Sequence, residues 1–428
     1  MADLLALSAR IIDGASDEPG SRITLELAEI ASGIALVESF SNVVAIDGAE
    51  GLVLFDASLQ SLGRAIVSGL RGWSNAPVHT LVYTHGHVDH VGGAHAIVAD
   101  AAERGDPRPD IVAHEAVPAR FRRYDLTNGY NAVINQRQFA RSGLVQGVEA
   151  DRPPTFPRHW VQPSTTYGDR MQLNVGDLAI ELRHGLGETD DHTWAWIPEH
   201  KAVCVGDFVI WAFPNAGNPQ KVQRYPLEWA QVLREMQSLE PELLLPAHGL
   251  PVGGRDRVHR LLGDTATALE SLVSQTLNLM NEGATLDTIV HTVKVPDGLL
   301  DRPYLRPTYD DPEFVVRNIW RRYGGWYDGN PANLKPASSA AVAVEVAKLA
   351  GGASTLAAHA LGLAADGDRD LRVAAHLVEM AFQAAPDTPE VNEARTAIYR
   401  RRRDAETSLM AKAIFGAAAD ASDANVSS

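Results

Sequence analysis

Thr84-His85-Gly86-His87-Val88-Asp89-His90 places three histidines and one aspartate within six residues, His85 to His90. An apolar run, 78–83, precedes it, and Gly92-Gly93-Ala94-His95 follows as a helix start. The order is therefore strand, ligand loop, helix. That order sets the loop at the carboxyl end of a buried strand, where open α/β sheets place their sites. Imidazole and carboxylate form the donor set that suits zinc. His85 and His87 are spaced to grip one ion, and the adjacent Asp89 and His90 a second beside it. Fifteen histidines in 428 residues do not produce such a cluster by chance.

Length and composition bound what surrounds this loop. A chain of 428 residues exceeds one ordinary core, so two or three domains are expected. Hydrophobic content of 45% and charged content of 21% are those of a soluble globular protein. The net charge of -16 disfavours a nucleic-acid partner and an anionic membrane surface. An anionic substrate has to be received by local positive charge, above all by metal ions. Cys204 is the single cysteine, so no intrachain disulfide forms, and its apolar surroundings (202–205) make it a core residue. The first 14 residues do not read as a secretory signal, and no window reaches the roughly 18 apolar residues of a membrane span. A cytoplasmic protein is the expectation.

Short apolar runs at 34–37, 43–47 and 52–57 read as antiparallel strands, with a helix over 59–70. Strand 78–83 delivers the ligand loop, followed by a helix over 94–103 and a strand at 111–114. Residues 124–163 break the pattern and read as an insertion over the metal loop, with a short helix near 132–142. Tyr130, Asn131, Asn135 and Arg137 in it are candidates for contacts with a substrate anion. Strands at 171–175, 178–183, 193–197 and 201–205 come next, then a helix over 226–239 and a strand at 243–245. Two similar halves, each of strands followed by helix and strand, predict an α/β fold: a four-layer αββα sandwich occupying 1–254. Beyond it strand signals vanish. Helices are predicted over 258–282 and 312–323, then alanine-rich ones over 339–350, 355–364, 368–385 and 389–415. This is an all-α domain over 255–416, with 417–428 as a frayed, disordered tail. Arg400 to Arg403 read as a solvated face.

Three later positions complete the opening motif: His192 before a strand, Asp207 after Val205-Gly206, and His248 after Leu245-Pro246-Ala247. With the four residues of the loop they make seven ligand-type side chains, enough for two ions. Together, His85-Gly86-His87-Val88-Asp89-His90, His192, Gly206-Asp207 and Ala247-His248-Gly249 resemble the metallo-β-lactamase superfamily over about residues 30–250. The resemblance implies the αββα fold. It implies that His85, His87 and His192 hold one ion, that Asp89, His90 and His248 hold the other, and that Asp207 bridges them. Asp89 and Asp207 are then the carboxylates expected at the catalytic centre. A zinc pair lowers the pKa of a shared water toward neutrality, which makes hydroxide available for ester hydrolysis at pH 7. Iron or manganese fits the same set.

A second resemblance is narrower. Arg306-Pro307-Thr308-Tyr309 and the run Asn318 to Pro331, which includes Trp326 and Tyr327, resemble the middle region of the alkylsulfatases of that superfamily. The alanine-rich helices resemble their dimerisation domain. This implies a homodimer through the helical domain and a small-molecule ester substrate, sulfate ester first, with Trp326 as a pocket wall. Alkylsulfatases tend to carry glutamates where this chain has His192 and Asp207. Their sulfate-binding arginine is expected within 214–225, where Lys221 and Arg224 stand. The chain ends soon after the helices, so no further apolar receptacle for long chains is expected. Lactones, thioesters, phosphoesters and β-lactams are alternative substrates of the same site. A metal-stabilised interaction scaffold is the reading of another class, and seven intact ligand positions speak against it.

Overall fold

Thirteen strands form two mixed sheets in the structure, a computed structural model that describes residues 3–139, 156–365 and 368–427. The first sheet runs β1 (Leu27–Ala31), β2 (Ile34–Val37), β3 (Val43–Gly48), β4 (Gly51–Phe55), β5 (Val78–Val82), β6 (Asp110–His114) and β7 (Thr165–Tyr167), in that spatial order. Its first four strands are an antiparallel meander, and β4 to β7 are parallel neighbours. The second sheet comprises β8 (Arg170–Val175), β9 (Leu178–Gly185), β10 (His192–Ile197), β11 (Ala202–Gly206), β12 (Leu243–Pro246) and β13 (Val252–Gly253), again in sequence order across the sheet. Here only β11 and β12 pair in parallel. Every residue of β2, β4, β11 and β12 is buried, the pattern of strands covered on both faces. β8 and β9 alternate buried with half-exposed or exposed positions and so lie where one face meets water.

The loops that follow β2, β5 and β12 are tied by backbone hydrogen bonds to one another, to β10 and to the end of β11. Asn42 N–H donates to Ala247 O at 2.6 Å, Thr193 N–H to Thr84 O at 2.6 Å, and Ala247 N–H to Gly206 O at 3.1 Å. Each of these joins segments far apart in the chain, so the residues predicted to bind metal are held by backbone as well as by side chain.

The described chain divides into two compact units. The first holds 3–132, 156–284 and 288–325; the second holds the remaining described residues. The predicted boundary at 254/255 is therefore displaced. Helix Arg255–Asn281 buries Val258, Leu261, Leu262, Leu269 and Leu272, and packs beside helix Pro226–Ser238. Arg234 pairs with Glu270 across that contact at 2.7 Å. Burying an aliphatic side chain contributes about 1.5–3 kcal/mol, so five such residues bind this helix to the first unit. Helix Pro312–Gly324 likewise belongs to the first unit and buries Val315, Val316 and Ile319.

The second unit contains helices Ser339–Leu349, Ala353–Ala365, Asp368–Ala384, Pro389–Ala405 and Leu409–Ser427. One long helix was expected over 389–415. It breaks after Ala405, and Ser408 Oγ accepts Ala411 N–H at 3.4 Å to start the next helix. Residues past 416, expected to fray, continue that helix to Ser427. In the basic run, Arg400 is exposed and pairs with Asp423 at 2.7 Å, whereas Arg402 is half-buried over the Phe415 ring at 4.6 Å. The insertion helix spans Asn128–Phe139; the rest of the predicted 132–142 stretch lies outside the described residues. No single helix among the described residues is long and apolar enough to cross a membrane.

Candidate metal centre

Two groups of donors converge where these loops meet. His85, His87, Glu188 and Asp207 form one, and Asp89, His90 and His248 the other; within each, the donor atoms lie within 4.8 Å of one another. In the first group His87 Nδ1 and His85 Nε2 stand 3.4 and 3.6 Å from Glu188 Oε2. In the second, Asp89 Oδ2 lies 3.4 Å from both His90 Nε2 and His248 Nε2. Asp207 faces both groups. Its Oδ2 is 3.8 Å from His85 Nε2, and its Oδ1 is 3.4 Å from His90 Nε2 and from His248 Nε2. Tetrahedral donors at bonds of about 2.1 Å stand about 3.4 Å apart, so separations of 3.4–3.8 Å suit donors that share a divalent metal ion.

The donor chemistry fits a metal as well. His90 Nε2, Glu188 Oε2 and Asp207 Oδ1 are buried and have no hydrogen-bond partner among the described protein atoms. Roughly 90% of buried polar atoms in folded proteins are paired, and these three belong to the two donor groups. The His85 Nε2 and His87 Nδ1 atoms stand 2.8 Å apart, within hydrogen-bond distance of each other.

The supporting contacts fix which ring nitrogen faces the centre. Asp56, at the end of β4 with φ +62°, is fully buried. Its carboxylate accepts Thr84 N–H at 2.7 Å, Thr84 Oγ1–H at 2.8 Å and His90 Nδ1–H at 2.7 Å. That leaves the His90 Nε2 lone pair for the centre, the usual way a carboxylate orients a ligating histidine. Thr84 Oγ1 also meets His85 Nδ1 at 3.1 Å, so the same aspartate steadies both rings. Glu188 is held from behind by Asn215 Nδ2–H on Oε1 and by Arg224 Nη2, 3.4 Å from Oε1; Arg224 Nη1–H donates to the Glu188 carbonyl. From helix Val117–Leu126, the buried Arg120 donates through Nε to Asp191 Oδ2 at 2.6 Å. The same oxygen accepts Gly86 N–H at 3.1 Å. A side chain at Gly86 would place Cβ 2.8 Å from Arg120 Cδ, so only glycine lets this arginine approach the ligand loop.

Electrostatics differ between the groups. Burial holds the His85 and His87 imidazoles well below their ordinary pKa, with positive neighbours including Arg120 acting in the same direction. At His90 burial acts to lower the pKa, yet the carboxylates of Asp207, Asp56 and Asp89 raise it well above the ordinary value. Burial would raise Asp191, but Arg120 holds its carboxyl well below the usual carboxylate range.

Six of the seven predicted ligands are thus brought together, and His192 is not among them. Its Nε2 accepts the Asp207 N–H at 3.1 Å, and its ring stacks on Phe208 at 4.2 Å. The lone pair that a metal would need holds the Asp207 backbone instead. Glu188, four residues earlier, takes the place expected for His192. The signal for it was the glutamate habit of the alkylsulfatases; the acidic run Glu188-Thr189-Asp190-Asp191 hid which acid satisfied it.

The other predicted contacts separate. Arg224 is buried against Glu188, and Lys221 stands within electrostatic reach of Glu188 and Asp89. Burial, with the Arg224 charge, lowers the Lys221 amine to about 8. Tyr309, quoted above only for resemblance, lies near Glu188, Asp89 and Asp207, and burial raises its phenol. Tyr130 is 61% exposed, and Asn131 uses its amide to bond Thr127 O at 3.0 Å. Asn135, Arg137 and Trp326 fall in the second unit, with Trp326 69% exposed.

Comparison with known proteins agrees with this geometry. The family described as "Metallo-beta-lactamase superfamily" matches residues 36–248, and "Alkyl sulfatase dimerisation" matches 285–424. The chain belongs to the metallo-β-lactamase superfamily, and its class is that of the metal-dependent hydrolases. Within that superfamily it is alkylsulfatase-like. It is 26% identical over 378 residues to a linear primary-alkylsulfatase of Pseudomonas sp. (strain ATCC 19151), covering 83% of this chain and 69% of that protein. It is 29% identical over 314 residues to an (R)-specific secondary-alkylsulfatase of Pseudomonas sp., covering 69% of this chain and 47% of the other. The solved structure of the stereoselective inverting sec-alkylsulfatase Pisa1 from Pseudomonas sp. superposes with a TM-score of 0.81 at 24% identity, covering 93% of this chain and 65% of that one. The chain thus spans between about half and two thirds of the length of these relatives.

Proposed function

We propose that this protein hydrolyses an alkyl sulfate ester with a pair of zinc ions. The observation that carries the reading is Asp207, whose two carboxylate oxygens face two separate donor groups, with the cations Lys221 and Arg224 beside them. His85, His87 and Glu188 would hold the first ion and Asp89, His90 and His248 the second, with Asp207 facing both groups. Iron or manganese takes the same donors, but imidazole with carboxylate suits zinc. When bound, a zinc pair supplies Lewis acidity and an ionised water at neutral pH. The chain's own residues do the rest. Asp56 and Thr84 hold the imidazoles in the tautomer that faces the centre. Arg224 keeps Glu188 in place. Lys221 receives the sulfate anion, which a chain of net charge -16 would otherwise repel. Tyr309, within electrostatic reach of Glu188, Asp89 and Asp207, is the hydroxyl assigned to the leaving oxygen.

We also propose a homodimer through the second unit. Val342, Val344, Leu349, Leu361 and Val373 on its helices are exposed, Leu349 to 90%, an apolar surface that a second copy would cover. The test of the activity is sulfate release by the zinc-loaded protein from short secondary and linear primary alkyl sulfates, run beside a lactone, a thioester, a phosphodiester and a β-lactam. Sulfate release that a chelator stops and zinc restores is the expected result. Turnover of another ester alone would overturn the sulfatase reading and leave the metal centre standing.

A further inference from the structure

The family match assigned to dimerisation begins at residue 285, yet helix Pro312–Gly324 and the segment before it fold with the catalytic unit. What they grip there is the loop that carries Lys221. Asn318 is 6% exposed and uses both ends of its amide. Its Nδ2 donates to Ala216 O at 2.9 Å and to Arg224 O at 3.0 Å, the two ends of that loop. Its Oδ1 accepts Gln223 Nε2–H at 3.1 Å and Arg224 N–H at 3.4 Å. Two further bonds tie the loop to the same segment. Gly217 N–H donates to the buried Asp310 Oδ2 at 2.6 Å, and Phe213 N–H to Arg306 O at 2.9 Å. The approach is close enough to exclude any side chain at Gly217, where a Cβ would stand 2.2 Å from Val315 N. Inside the loop, Asn218 Oδ1 accepts Gln220 N–H at 3.0 Å, which turns the chain back just before Lys221.

We propose that Asn318 is a positioning residue for the substrate anion: by joining Ala216 to Arg224 it sets where the loop between them presents Lys221. The inference deepens the sulfatase reading and rests on it. Arg224 has a second anchor in Glu188, so Lys221, between the two tied ends, is the cation that the joint controls. Only a primary amide supplies two donors and an acceptor from one short side chain. Asp at this position keeps the acceptor but turns an anion toward two carbonyls.

The test uses the zinc-loaded chain of residues 1–428 and the variants N318A, N318D and G217A. The last pushes the helix off the loop without touching a cation. The readouts are kcat and KM for an alkyl sulfate, the inhibition constant of inorganic sulfate, and bound zinc per chain. Displacing one charged contact is expected to raise KM about tenfold, and to raise the sulfate inhibition constant with it. The fall in kcat should stay below about threefold and zinc content should stay at the wild-type value. N318D should be at least as impaired as N318A. An unchanged KM, or losses confined to kcat and zinc content, overturns the inference while wild-type turnover keeps the sulfatase reading. A wild-type protein inert toward every sulfate ester overturns both, and that arm is read first.

Discussion

The two units are built from different cores, and the contrast separates chemistry from assembly. The core of the first sheet draws on Val37, Leu54, Ile66, Leu81, Tyr83, Ile97 and Phe121, large side chains that lock strands against helices. The core of the second unit is richer in alanine: Ala357, Ala360, Ala364, Ala374, Ala381 and Ala394 alternate with Leu356, Leu371, Val378, Val391 and Ile398. Bulky cores filled to high density give rigid frames. Such a frame can hold His85, His90, Asp56, Asp191 and His192 fully buried at fixed distances. Alanine cores let helices approach closely and leave larger side chains for the outside. There Leu349 and Val373 are exposed. Buried charge marks the site in one unit, and exposed apolar surface marks the proposed contact in the other.

The strongest way to break this division is to remove a ligand. H85A and H248A each take one donor from a different group, and each is expected to abolish hydrolysis while the fold stays intact by circular dichroism. Retained turnover in either, with metals still bound, would defeat the assignment of the centre. Next in size is the support beneath the ligand loop. R120M removes the donor that holds Asp191 against Gly86, and loss of such an outer contact costs about 10–100-fold in metal affinity. Competition with a chromophoric chelator should show the weaker of two affinities falling in R120M. If both affinities match wild type and only Tm drops, Arg120 is a packing residue alone.

Removing the residues after Pro336 acts on the other side of the contrast. The shortened chain is expected to be a monomer by sedimentation, with zinc content close to that of the full chain. A truncated protein that still sediments as a dimer would relocate the interface to the first unit.

The smallest effect concerns His114, at the end of β6 and stacked on His184 at 3.8 Å. Burial and the neighbouring His184 hold its pKa at about 4, below the ordinary 6.5. The unfolded chain therefore binds this proton more readily than the folded one between those values. The native state gives up stability as pH falls from about 6.5 toward 4, and this contribution is complete above 6.5. H114N should flatten the fall in Tm over that window by a few degrees, since 1 kcal/mol shifts Tm by about 2–4 °C in a larger domain. Parallel Tm curves for wild type and variant would rule the titration out.

The sequence alone determined the elements with strong local signatures. The period-two strands, the ligand loop after strand β5 and the alanine-rich helices all declare themselves within a dozen residues. The motif His85 to His90 carries its chemistry locally, because one turn of loop and helix presents all four side chains. Helix ends and the break at 406–408 were less legible, since Ser408 caps through a hydroxyl that gives no stronger signal than any other serine. What only the tertiary structure decided were the long-range choices. Glu188 and His192 lie four residues apart, and both are chemically able to bind a metal. The difference is that the His192 lone pair faces the Asp207 N–H, whereas Glu188 Oε2 faces the imidazoles. The placing of Lys221 by Asn318, 97 positions away in the numbering, is of the same kind. Ligand identity is set by which atom with a spare lone pair reaches a point in space. That depends on where separate strands end relative to one another, and neither propensity nor spacing along one chain encodes it.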